Sequence, residues 1–143
     1  MFRLRVLFFL LSLCWSALAL ATHNRAGEII LCRVGDTGFL YRITVITHTK
    51  LSAPADRPEL EINYGDEPVW DTIARTNVQD FPAQDLRRSE YVTEHLYSGA
   101  GEFLIQIDDQ NRNGGVVNVP NSIAQSFSVR TLLRSSPLTG GNC

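Results

Sequence analysis

The sequence predicts an all-β fold, an antiparallel β-sandwich of about seven short strands. Apolar and polar residues alternate with a period of two along several segments, which gives each strand one buried face and one exposed face. Clusters of Gly, Asp, Asn and Ser separate these segments at the spacing that is usual in sandwiches. No long segment carries the helical period of 3.6 residues. These three observations favour a single domain built from hairpins.

The strands follow one another along the chain in a simple order. The predicted strands are residues 28–34, 39–50, 60–64, 70–78, 90–96, 102–108 and 126–130. One turn of helix is expected within residues 79–89. The apolar faces predict a core made of Ile43, Val45, Leu60, Ile62, Phe103, Ile105, Ile107, Phe127 and Val129. Trp70 is expected to cover one face of the sheet.

Residues 1–21 have the organisation of a secretory signal peptide. Arg3 and Arg5 precede an apolar run that reaches Leu20, and small residues at alternate positions end it. Cleavage after Ala21 would start the mature chain at Thr22. The alternative is an uncleaved membrane anchor, for which the apolar run is a little short. We therefore expect a signal peptide at 1–21, one domain at 22–134, and a flexible tail or the start of a linker at 135–143.

Charge and composition exclude some classes of partner. Without Arg3 and Arg5 the chain has 11 Lys and Arg against 15 Asp and Glu, a net charge near −4. Lys50 is the only lysine, and Arg87-Arg88 is the only adjacent basic pair. This pattern argues against a nucleic-acid groove and against a polybasic membrane surface. The sequence also has no second apolar run long enough to span a membrane, so we expect a secreted protein or one on the outer cell surface.

No catalytic constellation is evident in the sequence. The chain has no Gly-x-Ser-x-Gly elbow, no His-Glu-x-x-His motif and no phosphate-binding glycine loop. His23, His48 and His95 are far apart and lie in different contexts, which is typical of surface or turn histidines. Asp108 and Asp109 are neighbours on a strand and point to opposite faces, a poor arrangement for an acid and base pair. We therefore expect a protein that is not an enzyme.

One segment resembles the first half of a calcium loop. Asp109, Asn111 and Asn113 occupy alternate positions before Gly114, so that their oxygens could converge on one ion. Pro120 stands where a complete EF-hand loop would have its bidentate Glu. The alternative is a loop whose Asn and Asp side chains bond to their own backbone. Calcium is the only cofactor that the sequence suggests.

Two cysteines remain after removal of the signal peptide. Cys32 lies in the first predicted strand, and Cys143 ends the chain. Export permits a disulfide between them, but two cysteines do not define a disulfide framework. The two residues either pair with each other or stay free.

Two motifs resemble the paired signature of PKD domains, which are immunoglobulin-like sandwiches. Tyr64-Gly65-Asp66 follows a predicted strand, and His95-Leu96-Tyr97 precedes Gly101-Glu102-Phe103. The resemblance implies a tight turn at Gly65 with positive φ, and Asp66 is suited to hydrogen-bond the backbone of that turn. It also implies that Tyr97 anchors a loop by its hydroxyl. Glu67-Pro68 departs from the pattern, because many such domains have another glycine there.

Two further stretches resemble the N-terminal domain of large bacterial surface proteins that are associated with gliding motility. They are residues 22–29 and residues 109–122, so that the resemblance covers nearly the whole mature chain. In that family the domain precedes further β-domains and a C-terminal sorting domain for type IX secretion. The resemblance implies a cell-surface location and a PKD-like sandwich more firmly than it implies an activity.

These observations favour a non-catalytic surface module, a spacer or adhesion domain that contacts a protein or glycan of the cell envelope or its surroundings. The alternative is a carbohydrate-binding module that holds sugars on exposed aromatic rings. Trp70, Tyr91 and Phe81 are the candidate rings. A small hydrolase is a third hypothesis, and fewer observations favour it. The exposure of Trp70 separates the first two, since a buried ring cannot form a binding platform.

Overall fold

The computed structural model describes residues 24–36, 38–54, 56–110, 112 and 114–137, so the predicted signal peptide and most of the predicted tail lie outside the described residues. This part of the chain is all-β. Its strands are β1 (Asn24–Arg33), β2 (Leu40–Lys50), β3 (Glu59–Asn63), β4 (Asp71–Phe81), β5 (Leu86–Leu96), β6 (Gly101–Asp109) and β7 (Phe127–Ser135). Every predicted strand is present, although β1 and β5 begin four residues earlier than expected.

Helical structure is minimal in the described part of the chain. Its only helices are the two 3-10 turns Pro82–Gln84 and Ser122–Ala124. The first confirms the single turn expected within residues 79–89. No helix in this part of the chain is long or apolar enough to cross a membrane.

The strands form one antiparallel sheet and not the two packed sheets of the predicted sandwich. Their order is β1-β2-β5-β4-β3-β6-β7. The reason lies in β4, whose first residues (71–74) pair with β3 and whose remainder pairs with β5. The register of β4 shifts between Arg75 and Asn77, where the strand passes from one partner to the other. Because β4 joins both halves, the sheet is continuous and curls into a nearly closed barrel.

Contacts between β1 and β7 bring the two ends of the sheet together. A Cβ atom on Gly27 would lie 3.0 Å from the Phe127 ring and 3.2 Å from the Val129 side chain, so β1 approaches β7 closely at this glycine. At the far end of the same strands, Arg33 donates a hydrogen bond of 3.2 Å to the Ser136 carbonyl oxygen. The Tyr41 and Ser135 hydroxyls are 3.1 Å apart. The close approach at Gly27 and the polar contacts at the far end thus hold the two ends of the sheet together where the strands do not pair.

The core fills the inside of the barrel and largely agrees with the prediction. Seven of the nine predicted residues are buried, and Phe103 and Val129 are partly buried against the same cluster. The core also holds aromatic residues that the prediction did not include. The chain's four tyrosines, Tyr41, Tyr64, Tyr91 and Tyr97, are all buried there. The period-two alternation is therefore confirmed, since inward-facing positions recur at every second residue.

One end of the barrel, where β1, β3, β5 and β7 begin, carries a group of ion pairs, and we call it the charged end. Arg75 donates to both carboxylate oxygens of Asp56, at 2.5 and 2.9 Å. Arg87 lies 3.4 Å from the same carboxylate and also binds Asp80 at 2.8 and 3.0 Å. These hydrogen bonds from Arg75, opposed in part by burial, lower the pKa of Asp56 from 3.8 to about 2.

The ion pairs of the charged end predict how the stability of the fold changes in acid. Because the pKa of Asp56 is lower in the folded protein, its ion pairs stabilise the fold above about pH 4. That contribution is lost as the pH falls from about 4 to about 2. The side chain of Asp56 is 46% exposed, so solvent screening keeps the effect small.

We therefore expect Asp56→Asn to lower the free energy of unfolding by roughly 1 kcal/mol or less at pH 6 and by nearly nothing at pH 2. Urea unfolding between pH 2 and pH 6 measures the difference from wild type. Glu61→Gln, which changes an exposed carboxylate on β3, serves as control. A stability difference that does not change with pH would contradict the ion-pair account.

Candidate functional site

Aromatic rings fill the other end of the barrel, where β2, β4 and β6 begin, and we call it the aromatic end. Tyr64 and His95 stack with 4.0 Å between ring centroids, and His95 meets Tyr97 edge-on at 4.6 Å. Tyr97 also stacks on Phe103 at 4.2 Å and meets Tyr41 edge-on at 5.9 Å. Tyr97 is thus the central ring, and it contacts side chains from β2, β5 and β6.

The hydroxyl of Tyr97 fixes the turn that follows β3. It donates a buried hydrogen bond of 3.0 Å to the Tyr64 carbonyl oxygen. Burial raises the pKa of Tyr97, and the charge of Asp66 raises it further, so the hydroxyl stays protonated as a donor. The expected loop anchor is therefore confirmed. The expected positive φ at Gly65 is confirmed as well, with a value of 86°.

The role expected for Asp66 in the turn is taken by a different residue. Asn63 caps the turn, because its Oδ1 accepts a hydrogen bond of 2.9 Å from the Gly65 backbone N–H. Its Nδ2 donates to the carbonyl oxygens of Glu67 and Val69 at 3.0 and 2.8 Å. The carboxylate of Asp66 instead lies 2.7 Å from His95 Nε2. Asp66 therefore holds the histidine ring of the aromatic end.

A cleft of about 380 Å³ opens beside this turn, and we call it the Trp70 cleft. Trp70 itself is 43% exposed and lies in the loop before β4, so the expectation that it covers a sheet face is wrong. Val69 and Leu96 are more exposed still and supply apolar surface to the same cleft. Tyr64 and His95 line it with their stacked pair. The cleft thus places an accessible indole beside a fixed aromatic wall.

The polar lining of the Trp70 cleft is acidic. Asp66, Glu67 and Asp71 line it beside His95, and none of the described residues in the lining is a lysine or an arginine. The Tyr64 hydroxyl donates to Asp71 at 3.4 Å. Burial raises the pKa of Tyr64, a hydrogen bond with Thr93 opposes this, and the negative charges of Asp71 and Asp66 raise it further. The negative charges of these carboxylates therefore act on the Tyr64 side chain in the wall of the cleft.

The other two aromatic candidates do not join Trp70. Tyr91 is only 1% exposed, and its hydroxyl donates a hydrogen bond of 2.6 Å to the Arg57 carbonyl oxygen, so it offers no binding face. Phe81 ends β4, at the charged end, whereas Trp70 precedes the first residue of that strand. Of the three rings, Trp70 is exposed, Tyr91 is buried, and Phe81 is half-buried at the opposite end of the barrel.

The predicted calcium loop is described only in part. Asp109 is buried at the charged end, and Asn111 and Asn113 lie outside the described residues. Arg57 binds both carboxylate oxygens of Asp109 at 3.1 and 2.6 Å, and the Asn24 side chain donates to it at 2.7 Å. Within the described ranges, no three His, Cys, Asp or Glu residues form a group suited to a metal ion. Arg57 and Asn24 therefore already bind the one predicted calcium ligand that lies within the described residues.

Cys32 is disulfide-bonded, and it lies in β1 opposite Arg42 of β2. Cys143 lies outside the described residues. Pairing of Cys32 with Cys143 therefore stays a prediction.

Two residues of the aromatic end have roles that the sequence does not predict, although the sequence carries a signal for each. His95 was expected to be a surface or turn residue, yet it shares the inward alternation of Tyr91 and Tyr97. Asn63 precedes a glycine by two positions, which is a favourable place for a side chain that caps a turn. The exposure of Trp70 had no such signal, because it depends on where a loop lies.

Comparison with known proteins does not extend this description: no family model, curated protein or solved structure matches the chain. The described residues define an all-β protein with seven antiparallel strands in a nearly closed barrel. The candidate site is the Trp70 cleft at its aromatic end.

The geometry of the turn beside the cleft predicts different stability losses for alanine substitutions at two glycines. Gly65 has φ of +86°, and a Cβ there would lie 2.6 Å from the backbone N and O of Leu104. Gly35 has a similar φ of +80° but nothing within 4 Å of its Cβ position. We expect Gly65→Ala to lower the free energy of unfolding by about 2–4 kcal/mol and Gly35→Ala by about 1 kcal/mol. Urea unfolding of the two variants checks this, and equal losses would contradict the close contact with Leu104.

Proposed function

We propose that this protein is a non-catalytic module of an exported or cell-surface protein, an adhesion or spacer domain, and that it contacts its partner through the Trp70 cleft. The observation that carries the proposal is the exposure of Trp70 within a cleft of about 380 Å³. Concave sites with an aromatic side chain and a few polar groups are the usual places where ligands bind. The stacked wall of Tyr64 and His95 supports it by giving the cleft a fixed shape.

Export is supported by two independent features. The N-terminal segment has the charge, apolar run and small residues of a signal peptide. The disulfide at Cys32 is of the kind that persists in oxidising compartments outside the cytosol. Together they favour a location at the outer cell surface or in the medium.

Kinship with PKD-like surface domains is also proposed, and the aromatic end supports it. The glycine turn at residue 65, the anchoring hydroxyl of Tyr97 and the ring of Phe103 above Gly101 meet there. The continuous sheet is a departure from the two packed sheets of an immunoglobulin-like sandwich. The motifs therefore support kinship with PKD-like domains in one turn and one hairpin of the fold.

Carbohydrate binding is the second candidate function, and the exposed Trp70 is the observation that favours it. An accessible indole beside a fixed aromatic wall suits the apolar face of a sugar ring. Tyr91 and Phe81 add nothing to this platform, because one is buried and the other lies at the charged end. A sugar would therefore be held by a single exposed ring.

A substitution at Trp70 tests the proposed function. We expect Trp70→Ala to reduce binding to isolated cell envelopes or to a glycan array at least about tenfold, since exposed aromatic side chains dominate such contacts. Val78→Ala is the matched control, because Val78 is 46% exposed and lies far along the same strand that follows Trp70. Circular dichroism checks that both variants fold.

Four outcomes test the candidates. Capture of an envelope protein that depends on Trp70 supports the adhesion module, and a specific glycan that depends on Trp70 supports the carbohydrate-binding module. Equal binding by wild type and Trp70→Ala would show that the cleft is not the contact site. Chemical conversion of a bound glycan would contradict a non-catalytic role.

A further inference from the structure

We propose that the Trp70 cleft binds a cationic side chain, an arginine or lysine that an extracellular protein partner inserts over the indole. The inference rests on the proposed function and names the chemistry of its ligand.

Charge is the first argument. Three carboxylates, those of Asp66, Glu67 and Asp71, line one small cleft, and the described part of its lining holds no lysine or arginine. Asp66 is paired with His95, and Asp71 accepts hydrogen bonds from Tyr64 and from the Thr72 backbone N–H. Among the described residues, the Glu67 side chain has neither a hydrogen bond nor an ion pair. A guanidinium or ammonium group would complement this carboxylate directly.

The apolar surface is the second argument. Val69, Trp70 and Leu96 are all exposed at the cleft, and they form its apolar surface. Arginine and lysine carry an aliphatic stem that packs on such surface while the charged head stays with polar partners. A cation over an indole face also gains a cation–π interaction, for which tryptophan is the best aromatic residue. Indole, apolar contacts and carboxylates together match one side chain that has both a stem and a positive head.

The size of the cleft limits the ligand. A volume of about 380 Å³ lies near the lower end of the range for small-molecule sites. The cleft therefore suits one or two side chains of a partner more than a long oligosaccharide. A neutral sugar could donate hydrogen bonds to these carboxylates but would supply no counter-charge, whereas a cation supplies both. The overall negative charge of the chain adds a weak long-range attraction for a basic partner.

The test uses a matched pair of probes. The full chain is produced with its own N-terminal segment in an exporting host, and the exported product is titrated with the blocked tripeptide glycyl-arginyl-glycine. The same tripeptide with citrulline, which has the shape of arginine without its charge, is the control probe. NMR of the Trp70 indole N–H, assigned with Trp70→Phe, reports binding at the cleft.

We expect the arginine probe to bind about tenfold more tightly than the citrulline probe, and to weaken as salt is raised. Glu67→Gln should reduce this preference to about threefold or less. Glu61→Gln, which removes an exposed carboxylate that does not line the cleft, should leave it unchanged. A methyl glycoside serves as the neutral sugar probe in the same titration.

Equal binding of the two tripeptides would overturn the proposal, and so would saturation by the glycoside without any response to arginine. Absence of binding by every probe would overturn it too. The envelope capture that depends on Trp70 is a separate measurement. If that capture succeeds while the arginine probe fails, the proposed function stands and only the cationic ligand is wrong.

Discussion

The hydrogen bond from the buried Tyr97 hydroxyl to the Tyr64 carbonyl oxygen is the constraint on which the aromatic end depends. It ties the segment after β5 to the turn after β3, two places that are far apart in the sequence. The ring of Tyr97 packs against Phe103, His95 and Tyr41 at the same time. Because Gly65 follows the bonded carbonyl and lies against the backbone of β6, the turn has little freedom to move. The Trp70 cleft takes its shape from this fixed wall.

The two ends of the barrel are closed by different physical means. Arginine and aspartate side chains form paired networks at the charged end, where Arg57 binds Asp109 and Arg75 binds Asp56. Stacked and edge-on rings close the aromatic end, which has little charge inside it. The carboxylates there lie outside the rings, in the cleft beside Trp70. The charged end therefore pairs its carboxylates with arginine side chains, whereas the aromatic end leaves the Glu67 carboxylate exposed beside apolar surface.

The alternation of side chains within each strand accounts for the features of the fold that the sequence predicts correctly. The alternation of side chains is set within each strand, so the seven strands and inward residues such as Ile43 and Ile107 follow from it. The number of sheets depends on β4, which pairs with β3 and then with β5, and no local pattern reports such pairing. Likewise, Gly65 and Tyr97 belong to motifs that a sequence displays. The pairing of Asp66 with His95, and the exposure of Trp70, arise only when distant segments meet.

The most direct test of this account is the stability and cleft structure of Tyr97→Phe, compared with Tyr41→Phe. Loss of the Tyr97 hydroxyl leaves the buried Tyr64 carbonyl oxygen without its donor, so the free energy of unfolding in urea should fall by about 1–3 kcal/mol. The NMR resonance of the Trp70 indole N–H should shift as the wall of the cleft relaxes. Tyr41→Phe removes a contact with the Ser135 hydroxyl and should leave that resonance in place. Unchanged stability and an unchanged Trp70 resonance in Tyr97→Phe would contradict the central role of this hydrogen bond.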